Sequence, residues 1–217
     1  MDILTRTKLK LMTHPQLTFY SVLAMQMEHV IDASVPTAAN HAGLRVMYNP
    51  EFLEKQTPDQ ILGLMVHELL HTVYMHMFRR QDRDSCLWNV AADYAINWEI
   101  VTDMKLQLPE GGCLDAQYAG MTAEHIYTII PDDPDDNNGG GQNPQGGDGG
   151  GGGQNDDPGG DGGVDDSPNN TNNGASQSQQ NHEEAEWKQA LAQAAHVAKQ
   201  AGNLPADIER AMQELLE

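Results

Sequence analysis

The stretch 64-LMVHELLHTVYMHMF-78 is apolar enough to be the interior of a helix, yet it carries His67, Glu68, His71 and His76. On a helix, residues four apart are rotated by only about 40° and lie one turn apart. The imidazoles of His67 and His71 therefore leave the same face and can share one metal ion. Glu68 is offset by about 100°, beside such an ion rather than on it, where it can take a proton from a water that the metal polarises. Two neutral imidazoles and an oxygen ligand favour Zn2+. The competing reading is a buried helix whose histidines satisfy one another or the backbone, because polar groups buried without partners are costly. His76 stands nine residues beyond His67, about 180° around a continuous helix. No glycine lies between His71 and His76 to break that helix. His76 is therefore expected to support the ligands or pack, not to bind the metal.

The flanks strengthen the helical reading. Thr57-Pro58-Asp59-Gln60 combines an N-cap threonine, proline at the first helical position, an acid in the first turn and glutamine at N3. The spacing predicts one helix from about residue 58 to 79, with Arg79 and Arg80 at the negative end of its dipole. Upstream, 44-LRVMY-48 reads as a short strand stopped by Asn49-Pro50. Such a strand could offer an exposed edge to an extended peptide. Downstream, 86-CLWNVAADYAINWEIV-101 is a second apolar helix, with Asp84 or Ser85 as its cap. Asn89, Asp93 and Asn97 recur every four residues along it, a polar stripe on an apolar helix that needs partners. Asp93 is the only carboxylate of the stripe and is the expected third metal ligand. Asn89 and Asn97 would orient ligands from behind. The alternative is a hydrogen-bond ladder between helices, and Glu99, Glu124 and His125 are weaker ligand candidates. Tyr94, Tyr118, His76 and His125 are candidates to donate a hydrogen bond to a developing oxyanion.

The remainder of the 217 residues divides unevenly. Residues 2–12 and 16–31 have helical apolar spacing, 32–43 read as a loop, 102–121 as irregular, and 122–130 as a short helix capped by Thr122. Residues 1–130 are thus the expected domain. Residues 131–181 are rich in Gly, Asp and Asn, cannot bury enough apolar surface to offset ordering entropy, and are expected to be a disordered acidic linker. A glycine-aspartate calcium repeat is not supported there, because Val164 falls where aspartate is needed and no period follows. Residues 182–217 resume helical patterns at 183–200 and 205–216. The net charge of −20 argues against nucleic-acid and anionic-membrane partners. Two widely spaced cysteines, no signal-peptide pattern and no long apolar run lead to the expectation of a cytoplasmic protein without a membrane span.

Beyond HExxH, the ordered blocks YNPEFL (48–53), HELLHTVYMH (67–76) followed by Arg79 or Arg80, WNVAADYAIN (88–97), LPEGG (108–112) and YAGMTAEHIY (118–127) resemble the metallopeptidase domain of bacterial and phage proteins. That domain commonly lies N-terminal to a von Willebrand factor A-like domain. The resemblance implies a minimal zincin-like fold, His67 and His71 as metal ligands and Glu68 as catalytic base. No DxSxS motif of an A-like domain is present. Residues 182–217 are expected either to pack on the domain or to dock a protein partner. The combined expectation is a mainly α fold with a small β element (α+β), hydrolysing a protein or peptide substrate with zinc. The alternative is a non-catalytic zinc-binding interaction module.

Overall fold

The computed structural model describes residues 1–41, 44–131 and 177–216. The chain opens with α1 (Ile3–Thr13), whose N-terminus is capped by the Asp2 side chain accepting from Thr5 N, and α2 (Thr18–Gln26). The helix expected over 16–31 stops at Gln26, and its last residues form strand β1 (Glu28–Ile31). Val30 and Ile31 are β-branched and suit the pleated surface better than a helix end. The segment read as a loop contains β2 (Ala38–His41), and the expected strand is β3 (Arg45–Tyr48). The sheet order is β1-β3-β2, with β3 parallel to β1 and antiparallel to β2. This corrects the expectation of an exposed edge at 44–48: β3 is central, and both its flanks are taken. Alternation puts Ala38, Asn40, Val46 and Tyr48 on one buried face.

That face lies against the helix on which the site is built. After a short α3 (Pro50–Glu54) comes α4 (Pro58–Val73). Its capping box forms as the sequence predicts, with Thr57 and Gln60 each accepting from the other's backbone N–H. From Ile61 to Val73 every residue is buried, as expected for a helix enclosed by the sheet, α1, α2 and the later helix α6 (Ser85–Thr102). Gly63 is required here, because a Cβ would collide with the carbonyl oxygen of Gln107 in the strap that follows α6.

The helix does not run on to Arg79. Met75 adopts the left-handed conformation (φ 51°, ψ 38°), and a separate turn, α5 (His76–Arg79), follows. A non-glycine residue held there costs about 1 kcal/mol or more. The Met75 side chain is buried in the main core, and burial of that kind is worth about 1.5–3 kcal/mol. Arg79 fixes the break from outside: it donates to the Tyr74 carbonyl and forms a two-pronged ion pair with Glu124.

Helix α6 (Ser85–Thr102), capped by Asp84, crosses α4 and packs against α7 (Ala123–Ile129), capped by Thr122. Between them the chain is irregular but anchored, with Met104, Leu106 and Leu108 packed on the core. Helix α8 (Gln177–Gln200) begins inside the segment read as linker and buries Trp187, Leu191, Ala194 and Ala198; α8 packs on α2. Helix α9 (Ala206–Leu216) adds Ile208 and Met212 to the same core. Residues 182–213 thus pack on the domain. The rest of the linker reading, 132–176, lies outside the described residues. No helix among the described residues is long and apolar enough to cross a membrane.

Candidate metal centre

Helix α4 presents His67 and His71 one turn apart toward α6, which presents Asp93 on its facing stripe. All three are buried. Their ligand atoms converge: His67 Nε2 and His71 Nε2 are 3.0 Å apart, and Asp93 Oδ1 lies 3.1 Å from His71 Nε2 and 3.5 Å from His67 Nε2. Tetrahedral zinc with legs of about 2.0–2.1 Å requires ligand atoms about 3.3 Å apart. The triangle matches one face of that tetrahedron. Among the described residues, this is the group of histidines, cysteines and carboxylates that could hold a metal ion.

Each imidazole is held from behind. Asn97 Nδ2 donates to the Cys113 carbonyl, which turns its Oδ1 toward His67 Nδ1 at 2.8 Å. His67 must therefore carry its proton on Nδ1, leaving the Nε2 lone pair free for a metal. His71 Nδ1 lies 3.0 Å from His76 Nδ1. With His71 Nε2 turned to the metal face, Nδ1–H donates and His76 accepts. This contact places His76 against His71 and corrects the reasoning from a straight helix. The break at Met75 swings His76 back beside His71, where a continuous helix would have carried it away. Trp88 Nε1 donates to the His76 carbonyl and braces the turn.

Glu68 is 1% exposed, and its Oε2 has no hydrogen-bond partner among the described residues. It lines a cavity of about 20 Å³ together with His67, Asn97, Leu108, Pro109 and Gly112, room for about one water. Burial, reinforced by the nearby Asp93, pushes the Glu68 carboxyl well above the usual range. Two unfavourably placed carboxyls beside two imidazoles, with one oxygen lacking a donor, are the polar surplus that a cation relieves.

This constellation agrees with a chain-wide similarity: the sequence profile of a putative metallopeptidase domain matches residues 5–217. The chain belongs to this metallopeptidase-domain family. A 55-residue stretch is 38% identical to an uncharacterised protein of Thermotoga maritima, covering 24% of this chain and 14% of that protein. The shared part is thus a small fraction of the relative's length. No solved structure matches.

The other candidates of this family member scatter. Asn89 is half-buried, one turn before Asp93, and its Oδ1 lacks a partner. Tyr94 and Tyr118 pack ring against ring with centroids 4.6 Å apart, in an apolar cluster with Ala91, Ile126 and Ile130. Glu99 accepts from the Tyr74 hydroxyl, Glu124 is held by Arg79, and His125 is exposed on α7. Sequence reasoning missed Asn40, which is fully buried on β2 and donates to the Glu68 carbonyl and to Thr72 Oγ1. It thereby ties the sheet to the metal helix behind Glu68. A lone asparagine in a supposed loop gave no signal; its alternation with Ala38 would have, had the strand been recognised.

Burial drives the histidines toward neutrality: His67 falls to about 4 and His71 to about 3, and His76 falls well below its usual value. In the unfolded chain they titrate near 6.5. Between these values the unfolded state binds more protons, so the contribution of each is complete above about pH 6.5 and is lost as pH falls toward 4. The raised Glu68 and Glu99 carboxyls act in the opposite sense over the same range, so the ring protonation itself is the readout: in metal-free protein His67 and His71 are expected to stay neutral down to about pH 5. Imidazole NMR shifts followed from about pH 7.5 to 5 check this; titration of these rings near 6.5 would mean that they are not held neutral.

Proposed function

We propose that this chain is a zinc-dependent peptidase in which His67, His71 and Asp93 hold the metal and Glu68 is the general base. The observation that carries the reading is the juxtaposition of three converging ligand atoms with a buried carboxylate whose Oε2 is unpartnered beside them. When bound, zinc supplies Lewis-acid polarisation of a water and of the scissile carbonyl. The chain supplies the rest. Asn97 and His76 fix the faces that the two imidazoles present. Glu68 accepts the proton of a water in the adjoining cavity and delivers it to the leaving amine. The strap around Leu108 and Pro109 keeps bulk water out. Main-chain pairing with a peptide falls to the outer strand β2, next to α4, rather than to β3.

One observation favours a non-catalytic zinc module instead: the cavity beside Glu68, about 20 Å³, has room for a water but not for a peptide. Both readings require the metal. Purified protein is expected to contain one zinc per chain by elemental analysis, and stripping it with a chelator should lower the melting temperature until zinc is restored. Protein without stoichiometric zinc, and indifferent to its addition, would remove both readings.

A further inference from the structure

A second polar centre lies on the far side of α6, where α9 crosses it. Glu99 on α6, Asp103 at its C-terminus and Asp207 on α9 line a cavity of about 290 Å³, walled by Tyr20 and by apolar side chains such as Leu17 and Leu204. Among the described residues, no lysine, arginine or histidine lines this cavity. The Gln16 and Asn203 amides also line it, but its inner groups are left without partners. Glu99 Oε2 accepts from the Tyr74 hydroxyl at 2.8 Å, but the buried Oε1 has no donor. The neighbour of Glu99 is the Asp207 carboxyl, with which a hydrogen bond needs a shared proton. Tyr20 is 0% exposed, and its hydroxyl has no partner. Buried polar groups are normally paired, and each exception calls for a missing group.

A larger cavity of about 370 Å³ shares Glu99, Asp103 and Asp207. Its cations do not supply the missing charge: Arg79 is committed to Glu124 and the Tyr74 carbonyl, and Arg210 is exposed on α9. Burial and the Asp207 carboxyl beside it push Glu99 up to about 8, the direction expected of a carboxyl without a counter-charge.

We propose that the cavity between α2, α6 and α9 binds an organic cation: a primary ammonium or guanidinium on a short aliphatic chain. The cationic head supplies the donors that the buried Glu99 Oε1 and Tyr20 oxygen lack and meets the exposed Asp207 carboxyl at the mouth, and the chain lies along Leu17 and Leu204. Volume and apolar walls fit this class at the small end of ligand sites. A bare divalent ion fits worse: among the described residues, the set whose ligand atoms come within 4.8 Å of one another is His67, His71 and Asp93. This inference does not rest on the peptidase reading, since none of these groups touches the metal ligands.

The test uses the purified full chain with cadaverine and agmatine as probes. Calorimetry and thermal melts, at ionic strength matched with sodium chloride, should show saturable binding and a raised melting temperature. Glu99→Gln and Asp207→Asn should each weaken binding by about tenfold or more. Leu204→Trp, which fills the cavity and leaves every charge in place, should abolish it and covers the case in which an acid variant fails to fold. Absence of a shift beyond sodium chloride, binding unchanged in Leu204→Trp, or magnesium reproducing the effect at equal concentration would each overturn the proposal.

Discussion

Glu68→Gln is expected to retain one zinc per chain and to lose peptide hydrolysis by about 10²–10⁴-fold in kcat, the range a positioned general base contributes. The substitution is nearly isosteric in a site with room for about one water, so packing around α4 is preserved. Its amide cannot take a proton. The readouts are zinc content and cleavage of a denatured protein or a peptide library, compared with wild type. Equal cleavage by the two proteins would refute the role given to Glu68. Loss of zinc in the variant would make Glu68 a ligand rather than a base. A wild type that binds zinc tightly and cleaves nothing in the library would transfer the chain to the interaction-module reading.

The second large effect is at Asp93. Asp93→Ala removes one of the three proposed ligand atoms and is expected to weaken zinc binding by more than about a hundredfold. Asn97→Ala, which only frees the far side of His67, should fall within the roughly 10–100-fold range of outer partners. Competition against a zinc chelator measures both. If the two variants lose affinity equally, Asp93 acts through the histidines and another group supplies the third contact. Because Asp93 is 3% exposed and lies within 3.5 Å of both imidazoles, a compensating water ligand would have to enter a closed interior. That is why the expected loss is large.

Much of this arrangement was legible in the chain because local chemistry and tertiary packing agree. Thr57, Pro58 and Gln60 start α4 where their capping chemistry says, and the four-residue stripe of α6 faces α4 with Asp93 and Asn97 inward. What was not legible depended on partners remote in sequence. His29, Val30 and Ile31 carry no strong alternation, so only pairing with β3 reveals them as a strand. Ala38–Asn40 looks like loop because its residues are small and polar, and the sheet face they share with Val46 and Tyr48 is defined by register. The strap at 104–113 has no periodicity at all; it is located by Gly63 beneath Gln107 and by Asn97 holding the Cys113 carbonyl. The His76 contact escaped because the helix ends at Val73 and the chain turns at Met75 without glycine or proline, through burial of the methionine and the clamp of Arg79 on the Tyr74 carbonyl.

That left-handed Met75 has a consequence for how such sites are recognised across sequences. A histidine spacing is a statement about distance only as long as the backbone between the histidines keeps one handedness. Here five positions separate His71 from His76, and a single dihedral pair at a residue that contributes no atom to the ligand set makes the two rings neighbours. Two chains with identical histidine patterns could thus carry different imidazole networks, and two with different patterns the same one. The determinant to compare between relatives is the packing that holds Met75 in place, not the motif that surrounds it.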